Sequence, residues 1–153
     1  SHDARGLTAR DVSLAARISA VADELGVAGS PGAPQELEIA VDALDVPAVV
    51  PFWRAVLGYE DEPAPADDAS PALVDPAGRG PAVWFQQMDA PRPQRNRIHV
   101  DVSVPHDVAE ERVRAALAAG GRLVSDANAP AWWVLADPEG NEACVTTWQG
   151  RGD

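Results

Sequence analysis

The chain has 153 residues, of which 46% are hydrophobic, enough for one domain with a real core and too apolar for a disordered segment. Its 24 acidic and 12 basic residues leave a formal net charge of −12, which argues against a phosphate-binding surface, and no run approaches the ~20 apolar residues that cross a bilayer. A lone cysteine, Cys144, excludes an internal disulfide and any CxxC metal motif. With a polar opening segment in place of a signal peptide, the expectation is a cytoplasmic protein with neither nucleic-acid nor membrane partners.

The first segment is expected to be helical. Thr8 can act as N-cap, with Asp11 standing in for the usual glutamate three residues on. Val12, Ala15, Ile18, Val21, Ala22 and Leu25 then recur at helical spacing, and Gly26 ends the run. Residues 28–34 have the glycine and proline content of a linker.

Beyond the linker the chain repeats itself. Asp75-Pro76-Ala77-Gly78 recurs as Asp137-Pro138-Glu139-Gly140, an offset of 62 positions, and Gly58 maps onto Gly120 at the same offset. Glu38 and His99, each early in a strand-like run, are 61 apart. A repeat of this kind sets the architecture before local propensity does.

In the first copy, residues 36–41 alternate as a strand, Asp45 caps a helix running to Leu57 with Pro47 and Pro51 in its first turns, and short strands are expected at 72–75 and 82–87 after an acidic, proline-rich loop at 61–70. In the second copy, 97–104 alternates, with His99, Asp101 and Ser103 on one face. A helix over 107–119 and strands at 122–125, 132–136 and 143–148 follow. Each copy reads as strand, helix, three strands. The expected fold is α+β: two βαβββ modules, at about 35–90 and 96–149, forming a curved mixed sheet with a central cleft. Residues 1–34 form a separate N-terminal helix and linker.

The stretches LEIAVDALDVPAVVPFWRAVLGYE, RIHVDVSVP and WVLADPEGNEACVTTW resemble the vicinal-oxygen-chelate superfamily, which includes glyoxalase I, bleomycin-resistance proteins and extradiol dioxygenases. The nearest flavour is the actinobacterial glyoxalase-like subgroup. The resemblance implies two paired modules enclosing a cleft. It also implies, in metal-dependent members, a divalent ion held by one residue from the first and one from the last strand of each module. The first-strand places fall on Glu38 and His99, and the last-strand places on Gln86 and Cys144. That is not the oxygen-rich set of the family's chemistry, so a metal is not the favoured expectation.

The opening SHDARGLTARDVSLAARISAVADELG resembles the carboxyl-terminal strand end and helix of pterin-4a-carbinolamine dehydratases. His2 falls on one active-site histidine of that family, but the paired-histidine motif is absent. The chain thus resembles the rear of a dehydratase–glyoxalase-like fusion, without dehydratase activity of its own.

The resemblance and the strand pattern give the candidate site. Glu38, His99 and Asp101 are the candidate catalytic residues, with Glu38 and His99 also the candidate metal ligands. Asp101 lies two residues from His99 on one strand face, where a carboxylate can orient an imidazole. Trp53, Trp84, Gln86, Trp133 and Cys144 are the candidate ligand-binding residues. Trp132 and Trp133 are adjacent on a strand, so one must leave the core. Arg92, Arg95 and Arg97 form the single basic series, either a solvated loop or an anion-contacting edge of the cleft. The function expected is binding of a small molecule, with or without lyase or isomerase chemistry. The alternative is a non-catalytic drug-sequestering or regulatory module. A homodimer is a further expectation.

Overall fold

The computed structural model describes residues 7–30, 35, 37–63 and 71–150. His2, Glu36 at the head of the first expected strand, and most of the proline-rich loop lie outside the described residues. The chain divides into two units, residues 1–36 and 37–153.

The first unit holds α1 (Ala9–Glu24). Thr8 and Asp11 form a reciprocal capping box, the Thr8 amide donating to Asp11 Oδ2 at 2.7 Å. Asp11 does the work usually given to glutamate because it reaches the same orphan N–H from the first turn. Gly26, at φ 68°, ends the helix. None of its residues is buried, and Val12, Ile18, Val21 and Leu25 are exposed.

The second unit carries both modules. Module one is β1 (Glu38–Ala43), α2 (Val46–Leu57), β2 (Glu60–Asp61), β3 (Ala72–Val74) and β4 (Ala82–Gln87). Module two is β5 (Val100–Ser103), α3 (His106–Ala118), β6 (Arg122–Asn128), β7 (Trp132–Ala136) and β8 (Glu142–Thr146). The two mixed sheets have the same order, β1-β4-β3-β2 and β5-β8-β7-β6, with the first and last strands of each module parallel and the rest antiparallel. A helical crossover is what lets a first strand end up parallel to its neighbour. The sheets are hydrogen-bonded separately rather than as one continuous sheet.

Several element bounds differ from those read in the sequence. β1 continues through Ala43 because Val41 and Ala43 are its buried pair. β5 is only four residues long, since a ladder exists only where a partner runs alongside, here Ala143–Thr146. β2, whose Asp61 heads the expected loop, pairs with Leu73 and Val74.

α2 is the most buried helix. Asp45 accepts from the Ala48 amide at 3.2 Å, and Gly58, at φ 71°, closes the C-terminus. Pro51 sits beyond the turn whose amides are free and removes one helical hydrogen bond, a cost of about 3 kcal/mol. The helix continues because Val49, Val50, Phe52, Trp53 and Val56 are all buried, each worth about 1.5–3 kcal/mol.

One apolar core spans both modules, from Val41, Phe85 and α2 to Val113, Ala116, Leu135 and Val145. Polar ties join the modules as well. Arg112 donates to the Val56 carbonyl at 3.1 Å, and the Glu139 carboxylate accepts from the amides of Leu44 and Asp45 at 2.8 and 2.6 Å. No helix among the described residues is long and apolar enough to cross a membrane.

Candidate functional site

Strand geometry sorts the candidate residues by face. Along β1, Ile39, Val41 and Ala43 turn to the core, so Glu38, Ala40 and Asp42 turn away from it. The β1–β4 register sets Ala40 beside Trp84 and Asp42 beside Gln86, so Trp84 and Gln86 share that outer face. Glu38 is exposed at the start of the strand. Four residues of strand, roughly 13 Å at ~3.3 Å each, separate it from the level of Gln86, so these two do not converge on one point.

Module two is arranged differently. His99 immediately precedes β5, which places His99, Asp101 and Ser103 on its outer face. The parallel register sets Asp101 beside Cys144 and Ser103 beside Thr146. The Ser103 and Thr146 hydroxyls share a hydrogen bond at 2.8 Å, and His99 Nε2 lies 3.4 Å from Asp101 Oδ1. One donor atom each from His99, Asp101 and Cys144 falls within 4.8 Å of the others, and Glu38 is not among them. Burial, then the hydrogen bond and charge of Asp101, push the Cys144 thiol up to about 11, with Arg95 opposing the shift. Left to itself this thiol is protonated at neutral pH and a poor nucleophile.

A cavity of about 490 Å³ lies where β1 and β5 face the connecting segment 88–97. Ile39, Val41, Trp53, Ile98 and Val100 give it an apolar lining, and Arg92, Arg95, Arg97, His99 and Glu142 a polar one. Arg92 pairs with Asp42 at 3.3 Å, and Arg95 pairs with Glu142. Arg97 has no ion-pair partner among the described residues. The arginine series therefore borders the cavity, with two of its members already neutralised.

The candidate ligand-binding residues separate accordingly. Trp53 is at the cavity wall, its indole N–H donating to the buried Asp137 at 3.0 Å. Trp84, Gln86 and Cys144 are on outer sheet faces and not among the cavity walls. Trp133 packs on the core beside Val145, while Trp132, opposite Thr146, takes the outer face. Sequence reasoning missed Asp42, Glu142, Asn96 and Asn141. Asn96 Nδ2 donates to Asn141 Oδ1 at 2.5 Å across 45 residues of chain, a pairing with no local signal.

Residues 38–146 match the family model described as a glyoxalase-like domain. The chain belongs to the glyoxalase-like domain family. Solved structures agree at the level of fold. A hypothetical protein, SA1046, from S. aureus is 15% identical with a TM-score of 0.57, covering 76% of this chain and 99% of its own. A glyoxalase/bleomycin resistance protein/dioxygenase family enzyme from Burkholderia phytofirmans is 17% identical with a TM-score of 0.53, covering 72% and 95%. The fosfomycin resistance protein FosX from Listeria monocytogenes is 10% identical with a TM-score of 0.58, covering 74% and 90%. Together with the family match, these place the glyoxalase-like chain in the vicinal-oxygen-chelate superfamily. Among curated proteins none matches it.

The divalent ion that this superfamily implies can be tested against the residues present. The module-one pair, Glu38 and Gln86, does not fit a shared ion because the strand holds them apart. The module-two trio does fit: imidazole, carboxylate and thiol converge on one face and together suit a borderline metal.

Proposed function

We propose that this glyoxalase-like chain binds a small organic molecule bearing an acidic or strongly accepting oxygen group, in the cavity between β1 and β5. The observation that carries the reading is a 490 Å³ cavity combining an apolar wall with Arg97, a cation lacking a partner among the described residues. That volume is in the usual range for small-molecule sites. The apolar wall suits the ligand's carbon frame, and Arg97 suits its oxygens. The Trp53 indole N–H gives a direct probe. On titration with a panel of small aromatic and aliphatic carboxylates, its proton–nitrogen NMR signal is expected to shift saturably together with the amides of Ile39 and Ile98. Arg97→Ala is expected to weaken the binding about tenfold, roughly 1.4 kcal/mol. No saturable shift, or shifts confined to other surfaces, would overturn the reading.

The chemistry proposed for such a site is of the lyase or isomerase type, with His99 moving a proton on the bound molecule at Nδ1 while Asp101 orients the ring through Nε2. Support comes from the 3.4 Å separation of Nε2 from Asp101 and from the place of His99 at the cavity wall. Glu38, exposed and away from the wall, is given no part in it.

A second reading, a ligand-sequestering or regulatory module fused to a pterin dehydratase, rests on α1, whose exposed Val12, Ile18, Val21 and Leu25 suit a helix completed by a larger domain. Turnover of any ligand found by the titration separates the two readings. We further propose a homodimer, supported by the exposure of Trp148 (76%) and Ile98 (83%). Sedimentation at several concentrations is expected to show a dimer that Trp148→Asp weakens at least about tenfold. A monomer throughout removes the proposal.

A further inference from the structure

We propose that Asn96 is a specificity-determining residue of the cavity, where its amide oxygen selects a carboxylate that also carries a neutral N–H or O–H donor. The proposal rests on the reading of the cavity as a small-molecule site and narrows the ligand class. The direction of the Asn96 amide is set by a chain of hydrogen bonds that starts in the core. A carboxylate only accepts. Asp137 is fully buried, and its Oδ2 takes the Trp53 indole N–H at 3.0 Å and Asn141 Nδ2 at 2.7 Å. The Asn141 amide is thereby turned with its nitrogen toward Asp137 and its oxygen toward Asn96. That oxygen needs a donor, which Asn96 Nδ2 supplies at 2.5 Å. With its nitrogen committed, Asn96 has its oxygen left for other partners, and Oδ1 accepts no hydrogen bond among the described residues. Asn96 is part-buried and lines the cavity.

The next residue supplies the charge. Arg97 follows Asn96 with Cα atoms ~3.8 Å apart, and both line the cavity. Most other charged side chains of the lining are engaged. Arg92 pairs with Asp42, Arg95 pairs with Glu142, and Glu139 accepts from the amides of Leu44 and Asp45. The ligand's carboxylate therefore goes to Arg97, and its donor to the neighbouring Asn96 oxygen. A neutral donor suits that place better than an ammonium, which the guanidinium would repel. A ligand lacking the donor leaves the Asn96 oxygen unpaired on binding, and one with an acceptor there sets two lone pairs against each other. A fixed polar group of this kind discriminates more sharply than an apolar wall, which tells ligands apart mainly by size. Asn141 and Asp137 are positioning residues, acting on the ligand through Asn96.

Ligand pairs that differ in the donor alone test it, titrated into the full chain and followed by the Trp53 indole signal. N-acetylleucine is set against its ester isostere, in which oxygen replaces the N–H, and 3-hydroxyhexanoate against hexanoate. In at least one pair the donor-bearing member is expected to bind about tenfold tighter or more, and the pair that shows it tells an N–H ligand from an O–H one. Asn96→Leu is expected to bring that pair to within about twofold, chiefly by weakening the donor-bearing member, with circular dichroism like the parent chain. Equal binding within both pairs in the unmodified protein overturns the inference and leaves the cavity reading standing. So does a donor preference that survives in Asn96→Leu. If none of the four carboxylates binds, the cavity reading falls and takes this inference with it.

Discussion

Asp137→Ala is expected to lower stability by about 3–5 kcal/mol, read as a shift in the urea midpoint followed by far-ultraviolet circular dichroism. The side chain is fully buried, and its two oxygens accept four donors. Oδ1 takes the amides of Glu139 and Asn141, both at 2.9 Å, and Oδ2 takes Asn141 Nδ2 at 2.7 Å and Trp53 Nε1 at 3.0 Å. Removing the carboxyl strands the buried Trp53 indole N–H and leaves three part-buried donors to find other partners, at about 1–3 kcal/mol for a buried donor left unmade. The repeat provides its own control. Asp75 occupies the equivalent turn and likewise accepts three backbone amides, from Ala77, Arg79 and Gly80 at 2.8–3.0 Å. Those amide bonds hold its carboxyl below the usual range, but the site is open to solvent. Asp75→Ala is therefore expected to cost much less than Asp137→Ala. Equal losses at the two positions would show that Asp137 is a local turn residue and not a tie between modules.

Phe52→Ala is expected to cost about 3–5 kcal/mol, the range for emptying a fully buried aromatic site. Phe52 lies on α2 in edge-to-face contact with Trp53, the ring centroids 5.6 Å apart, and reaches across to the second module at Gly121. A β-carbon at Gly121 would overlap Phe52 Cδ2 and Cε2 and come within 2.8 Å of the Ala116 carbonyl oxygen. Gly121→Ala alone is thus expected to cost about 1–3 kcal/mol through overpacking. In the double variant the missing ring relieves most of that overlap, so the two losses are expected to fall short of their sum by about 0.5–3 kcal/mol. Additive losses would mean that ring and glycine do not meet, and that the close approach of the two modules has been misplaced.

Much of this arrangement could be read from the residues alone. The 62-position repeat, the DPxG turns, the Thr8 and Asp45 caps and the glycines at 58 and 120 are local signals, each fixed by backbone chemistry within a few residues. They gave the order of elements in both modules and the α+β class. Alternation along the strands also put His99, Asp101 and Ser103 on one face.

What the sequence could not determine depends on which strand lies beside which. Trp132 and Trp133 had to part company, but only the pairing of Trp133 with Val145 sends it to the core and leaves Trp132 outside. Asp75 and Asp137 begin turns of the same sequence pattern, and only the approach of Trp53 from the other module makes one a buried hub and leaves the other a surface turn. Glu38 and Gln86 looked like partners of His99 and Cys144 by position, yet the strand between their levels holds them apart, while a register set 43 residues away brings Asp101 against Cys144. Hydrogen-bonding period and turn chemistry are written into neighbouring residues. Proximity between distant strands is not, because it is set by how the apolar faces of whole modules pack together.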